Sequence, residues 1–295
     1  MARFERWSFT VRVYGFGSLR VCNYTGKLVK SLLAVCSERF ASILSSSEKS
    51  VAKRLSVTPL FRVTGPGRVE AVYPGGPQRD KIRAPVLEDG EVVFFEVGAG
   101  GDLINEMPRL LECLSRGVSV RFCGAAITVE PVEARMIAEY DTHSDPIVRL
   151  DGVEAVKIVF RSPTLPVNPW RPGSRWKRLL PTPSYLLAVN AHDMFDPDTA
   201  LVERALIAAE RILSPSHAAL DTARVYWYLY DGSRLPAMIG YVKLHVETEG
   251  VGKGEVETVE HLLSHAVVMG VGSGRAAGFG AVSIEAMPST DRLEG

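Results

Sequence analysis

Three stretches of this 295-residue chain carry side chains suited to holding an anion. Residues 270–280 read GVGSGRAAGFG, with Gly270, Gly272, Gly274, Gly278 and Gly280 around Arg275. Dense glycine lets backbone N–H groups come close to a phosphate. Residues 169–178, PWRPGSRWKR, set Trp170 and Trp176 among Arg171, Arg175, Lys177 and Arg178. Such cations neutralise phosphates while an indole stacks on an unpaired base. Lys27 and Lys30 fall three apart in a helical stretch, so both ammonium groups point the same way. The glycine segment is not a dinucleotide fingerprint, which follows a strand and opens a helix. Here it follows a helical stretch, and Arg275 stands at the sixth place of G-x-G-x-x-G.

The histidines are His143, His192, His217, His245, His261 and His265, so none precedes residue 143. His261 and His265 have the i, i+4 spacing of a zinc pair. The metalloprotease pattern fails, because Leu262 stands where its Glu would be. Both are expected on the polar face of their helix, at the surface. Cys22, Cys36, Cys113 and Cys123 form no C-x-x-C pair, which argues against a thiolate zinc site. They are expected as buried free thiols.

Thirty-four Lys+Arg balance thirty-four Asp+Glu, which excludes a uniformly basic coat but not a local one. Residues 1–68 hold twelve basic and three acidic side chains, and residues 155–192 hold six basic and no acidic ones. That partition suits one basic face for a polyanion. Apolar residues make up 46% and charged residues 23%, enough for a packed core and too apolar for wholesale disorder. No stretch approaches the ~18 apolar residues of a membrane span. MARFERWSF lacks the apolar run of a secretory signal, so the expected address is the cytoplasm.

Elements that position these groups follow from periodicity. Residues 7–14 alternate as a strand, and Leu28, Val29, Leu32, Leu33 and Cys36 recur at helical spacing over 26–36. A second helix is expected around Phe40–Leu44, strands near 58–64 and 91–97, a helix from an Asp102 cap to about Arg116, and strands at 118–122 and 127–132. The pattern then restarts. A strand at 154–161 precedes a Pro-rich loop over 162–183 and a helix over 197–213, capped by Asp196. Strands near 224–230 and 236–247, a helix over 255–269 and a strand over 281–286 complete it. Two rounds of strand, helix, two strands, helix, strand predict an α+β protein of two tandem ferredoxin-like (RRM-like) domains, residues 1–146 and 147–295. The junction is expected within DTHSDPIVRLDG at 141–152.

A C-terminal helix, GVGSGRAAGFG and a strand, in that order, resemble the signature of the CRISPR precursor-RNA-processing endoribonucleases of the RAMP superfamily. IVFRSPTLP at 158–166 is similar to that family's entry into its second domain, and YTGKLVKSLL at 24–33 to its first helix. The resemblance implies two ferredoxin-like folds with RNA across their shared face. It implies cleavage of CRISPR repeat RNA, single-stranded or in a short hairpin, without a metal or other cofactor. The repeat's 2′-hydroxyl attacks the adjacent phosphate, giving a 2′,3′-cyclic phosphate and a 5′-hydroxyl. Relatives occur as monomers and as homodimers, with no membrane involved. Many members place a histidine after the first helices, where this chain has Ser45, Ser46 and Ser47. Lys27, Lys30 and Lys53 are similar in placement to the catalytic lysines of the histidine-lacking, archaeal-like branch. An ammonium group stabilises a phosphorane and protonates a leaving oxygen. Tyr24 and Ser45 are further candidates. RNA contacts are expected from Arg171, Arg175, Lys177, Arg178, the five glycines of 270–280 and Arg275. The same features also fit a non-cleaving RNA-binding subunit of this fold, or a nucleotide-binding α+β protein with the glycine segment as phosphate cradle.

Overall fold

A computed structural model of the protein describes residues 2–15, 17–45, 54–171, 179–216 and 222–288. Lys53, Arg175, Lys177 and Arg178 lie outside these residues, as do Ser46, Ser47, Trp176 and His217.

The first half opens with β1 (Arg3–Tyr14), whose Phe9, Val11 and Val13 turn into the core while Arg12 faces out. After β2 (Ser18–Arg20) come α1 (Gly26–Cys36) and α2 (Glu38–Ser45). There follow β3 (Leu55–Val57), β4 (Leu60–Gly65), β5 (Arg68–Val72), β6 (Gly75–Gly76), β7 (Val86–Glu88) and β8 (Glu91–Gly100). A 3-10 turn over Gly101–Glu106 leads to α3 (Met107–Ser115), β9 (Val118–Phe122) and β10 (Ala125–Asp141). The expected cap at Asp102 is corrected. Asp102 lies inside the 3-10 turn and pairs with Arg39 at 3.1 Å, and Pro108 sits in the first turn of the helix proper.

The second half runs through β11 (Val153–Thr164), α4 (Pro183–Phe195), α5 (Thr199–Ile212), β12 (Leu213–Pro215), β13 (Ala223–Tyr230), β14 (Ser233–Val246), α6 (Lys253–Met269) and β15 (Val282–Pro288). The cap of α5 is Asp198, which accepts from the Leu201 N–H at 3.0 Å, rather than Asp196.

The main sheet of the first half has the order β5–β4–β8–β1–β10–β9, with β3 also on β8. That of the second half has the order β15–β11–β14–β13–β6, with β12 also on β14. In each, the opening strand lies between the closing strand and the third long one, and all pairings are antiparallel. Leu28, Val29, Leu32 and Leu33 of α1 and Leu110 and Leu114 of α3 cover the first sheet. Leu186, Leu187, Leu206, Leu262 and Leu263 of α4, α5 and α6 cover the second. No helix among the described residues is long and apolar enough to cross a membrane.

The cysteines correct the expectation of free thiols. Cys22 is bonded to Cys123 and Cys36 to Cys113, each with Cα atoms 5.5 Å apart. The partners are 101 and 77 residues apart in sequence, beyond the reach of any local spacing rule. Cys22 lies just before α1 and Cys36 is its last residue, so α1 is tethered at both ends. Reducing the bridges releases two long loops in the unfolded chain, at about 2–4 kcal/mol per bridge. Melts with and without dithiothreitol check this; coincident melts of chemically confirmed reduced and oxidised protein count against it.

Candidate functional site

The N-terminal end of α1 is wedged between the glycine-rich segment and the turn joining β13 to β14. Tyr24, fully buried, donates its hydroxyl to the Gly278 carbonyl at 2.6 Å and stacks on Phe279 with ring centroids 4.6 Å apart. Burial holds that phenol well above its ordinary value, so Tyr24 serves as packing rather than as an acid or base at neutral pH. Thr25 donates to the Val72 carbonyl and accepts from the Leu60 N–H, tying α1 to β4 and β5. Gly278 has φ +103°, and a Cβ there would lie 2.8 Å from the Tyr24 ring and 3.0 Å from the Gly26 Cα. Only a residue without a side chain lets helix and loop meet this closely.

The five glycines therefore serve the loop's own folding first. Gly270, Gly272, Gly278 and Gly280 are buried, and Gly274 is exposed. The N–H groups of Val271, Gly272, Ser273 and Gly280 bond to carbonyls of Gly280, Leu186, Leu165 and Pro163.

Lys27 and Lys30 sit one turn apart on α1, both half-buried. The β13–β14 turn delivers Asp231 to this face of α1. Lys27 makes an ion pair with Asp231 and lies 5.5 Å over the Tyr230 ring. Asn23 brackets the same carboxylate, its amide 3.3 Å from Asp231 Oδ1, while its own oxygen accepts from the Asp231 N–H at 3.1 Å. The hydrogen bond from Lys27 is the main cause that holds Asp231 below the usual carboxylate range, and Lys30 adds to it. Lys27 thus arrives oriented by a carboxylate. Ser45 is exposed and donates to the Ser42 carbonyl at 3.0 Å.

Arg275 points inward rather than toward solvent. It is 4% exposed and makes an ion pair with Asp193 of α4, itself buried. Arg275 is expected to contact phosphate; in the structure its guanidinium meets the Asp193 carboxylate, the counter-charge that a buried guanidinium demands. His265 completes the cluster and corrects the expectation of a surface residue. It is fully buried, with Nδ1 2.9 Å from the Asn190 amide nitrogen and Nε2 3.5 Å from Asp193. Burial first, then Arg275 and Arg54, push its pKa well below the ordinary value, so the ring is neutral. His261 is only partly exposed, with Nδ1 2.7 Å from the Tyr140 hydroxyl. Of the expected RNA contacts in 169–178, Arg171 is exposed and Trp170 is 47% exposed.

Beneath these contacts the two halves are pinned by a triad of buried Glu96, buried Arg6 and partly exposed Arg161. Glu96 of β8 pairs with Arg6 of β1 at 2.5 Å and with Arg161 of β11 at 2.8 Å. Arg6 also donates to the Val267 carbonyl of α6 at 2.7 Å.

The model of the CRISPR-associated endoribonuclease Cas6 family matches residues 158–282. Among solved structures, a Cas6 product complex superimposes with a TM-score of 0.62 at 16% identity, covering 97% of this chain and 99% of that one. Thermus thermophilus Cas6 gives 0.53 at 14% identity, covering 96% and 99%. A Cas6-related protein from Pyrococcus furiosus gives 0.54 at 9% identity, covering 96% and 98%. No curated protein matches the chain in sequence.

Proposed function

We propose that this protein is a Cas6-type endoribonuclease that cuts the repeat within CRISPR transcripts. The observation that carries the reading is the family match over 158–282, a span that contains the glycine-rich segment on which α1 and its lysines are seated. The strand orders of the two sheets support two tandem ferredoxin-like units, 1–146 and 147–295. A solved RAMP protein described as binding different RNA substrates, 11% identical, shares the fold and lends RNA as the ligand class.

In the proposed reaction the repeat's own 2′-hydroxyl attacks the adjacent phosphorus as its proton leaves. The bond to the 5′-oxygen breaks, and that oxygen takes up a proton. The products are a 2′,3′-cyclic phosphate and a 5′-hydroxyl, and no metal enters the balance. Lys27, Lys30 and Lys53 supply positive charge to the phosphorane and a proton to the leaving oxygen. Asp231 fixes the direction of Lys27, as its hydrogen bond shows. Arg171, Arg175, Lys177 and Arg178, with the exposed edge of the loop at Gly274, hold the strand.

The test is incubation of the full chain with end-labelled repeat RNA in EDTA. A single cut ending in a cyclic phosphate supports the reading. Tight binding without a cut identifies a non-cleaving RNA-binding subunit instead. Stabilisation by mononucleotides with no RNA binding turns the assignment toward a nucleotide-binding protein. Lys30→Ala and Lys53→Ala should each lower the single-turnover rate about 10²-fold, well beyond any change in affinity. Equal losses in rate and affinity would make them binding residues only.

A further inference from the structure

A loop from the first half caps the edge of the second sheet. β6 pairs with β13 through Gly76 opposite Trp227 and Gly75 opposite Tyr228. The Pro74 carbonyl accepts from the Leu229 N–H at 3.1 Å. Gly75 and Arg83 exchange two backbone hydrogen bonds of 3.0 and 2.9 Å, which closes residues 75–83 into a hairpin-like loop. Gly75 admits no side chain, since a Cβ would come 2.3 Å from the Tyr226 ring. The loop is thus fixed at its base, while Arg79, Asp80, Lys81 and Arg83 beyond it are exposed.

The Arg79 guanidinium carbon lies 5.8 Å over the ring of Trp227, which is half-exposed. Arg83 acts electrostatically on the neighbouring Tyr226 phenol, against burial and Glu70. Arg79 thus covers the indole and Arg83 faces the phenol, with Lys81 exposed on the same loop and Asp80 and Glu70 as the nearby carboxylates. We propose that this edge (Arg79, Lys81 and Arg83 with Trp227 and Tyr226) is a second RNA contact that holds an unpaired stretch of the transcript away from the cut bond. The proposal rests on the RNA-processing reading above.

The chemistry selects the partner. An acidic peptide would use the cations and leave the rings idle. A duplex would present phosphates but no base faces. An unpaired strand uses both, with phosphates on Lys81 and Arg83 and a base against the Arg79–Trp227 stack. Position agrees as well. Trp227 and Asp231 are four residues apart along β13 and its turn, about 13 Å. The proposed contact and Lys27 therefore lie along one strand and its turn.

The experiment measures binding of a labelled oligouridylate of about a dozen nucleotides to the full chain, across a salt series. Wild type is compared with Arg79→Ala/Lys81→Ala/Arg83→Ala and with the single Arg79→Glu, each checked for an unchanged melt. The triple variant should bind about tenfold or more weakly, and its log K against log salt slope should flatten by about 1.4, at about 0.7 for each of the two lost phosphate contacts. Arg79→Glu should weaken binding as well. Equal affinity and slope for wild type and variants overturn the proposal. So does a wild type that cuts repeat RNA but has no affinity for the oligouridylate. A wild type that binds neither RNA removes the underlying functional reading, and the proposal with it.

Discussion

Replacing Glu96 with Leu should cost about 3–5 kcal/mol of stability, because it strands the buried Arg6 guanidinium and releases the partly exposed Arg161 from the carboxylate they share. Glu96 is 3% exposed and Arg6 is 5% exposed, so water cannot take over the lost contact cheaply. The triad joins β1 and β8 of one sheet to β11 of the other. Loss of the carboxylate should therefore loosen the two halves against each other, seen as a shallower denaturant slope as well as a lower midpoint. The pH dependence has a definite sign. Burial opposes ionisation of Glu96, but Arg6 and Arg161 overcome it and hold the carboxyl below its ordinary 4.5. A depressed folded-state pKa contributes stability in full above the unfolded value and loses it as pH falls through the folded one. Wild type should thus show an acid-dependent loss below about pH 4.5 that Glu96→Leu lacks. A variant within about 1 kcal/mol of wild type, the range of exposed ion pairs, would refute the assigned role.

Arg275→Met should be nearly as damaging, at about 3–5 kcal/mol, because Asp193 would be left buried without its counter-charge. Burial already pushes Asp193 up, with Arg275 pulling the other way. The double variant Asp193→Leu/Arg275→Met should recover most of the loss, since replacing both members of a buried pair by apolar groups is often neutral. Thermal and urea melts of the two single variants and the double settle the matter. A phosphate-binding Arg275 would behave otherwise. Its loss would weaken RNA binding and flatten the salt slope while leaving the melt in place.

What could be read from the sequence was local. The leucine and valine spacing of 26–36 gave α1 its bounds, and the alternation of 154–161 marked β11. α4 went unseen because YLLAVNAHDMF is buried nearly all round, so no polar stripe sets a 3.6-residue period. β10 runs on to Asp141, past the expected end at 132. Its register with β9 stops at Val129, and beyond that its exposed edge residues lose the alternation of a half-buried strand. The site itself depends on long-range meetings. Lys27 finds Asp231 across 204 positions, and Arg275 finds Asp193 across 82. No window of sequence contains both members of either pair. The burial of His265 is likewise a long-range effect. Its neighbours on α6 suggested a wet face, but Phe4 of β1 packs edge-on against its ring at 4.4 Å.

β6 bears on how the polypeptide can be cut. Residues 73–83 belong by chain order to the first half, yet they finish the second sheet. A recombinant fragment begun near 147 would leave the outer edge of β13 unpaired, and Tyr226 would lose the cover of Gly75 and Tyr73. Such an unmated border invites pairing with other chains. Co-production of two separately encoded pieces is the form in which a divided version of this protein would remain whole.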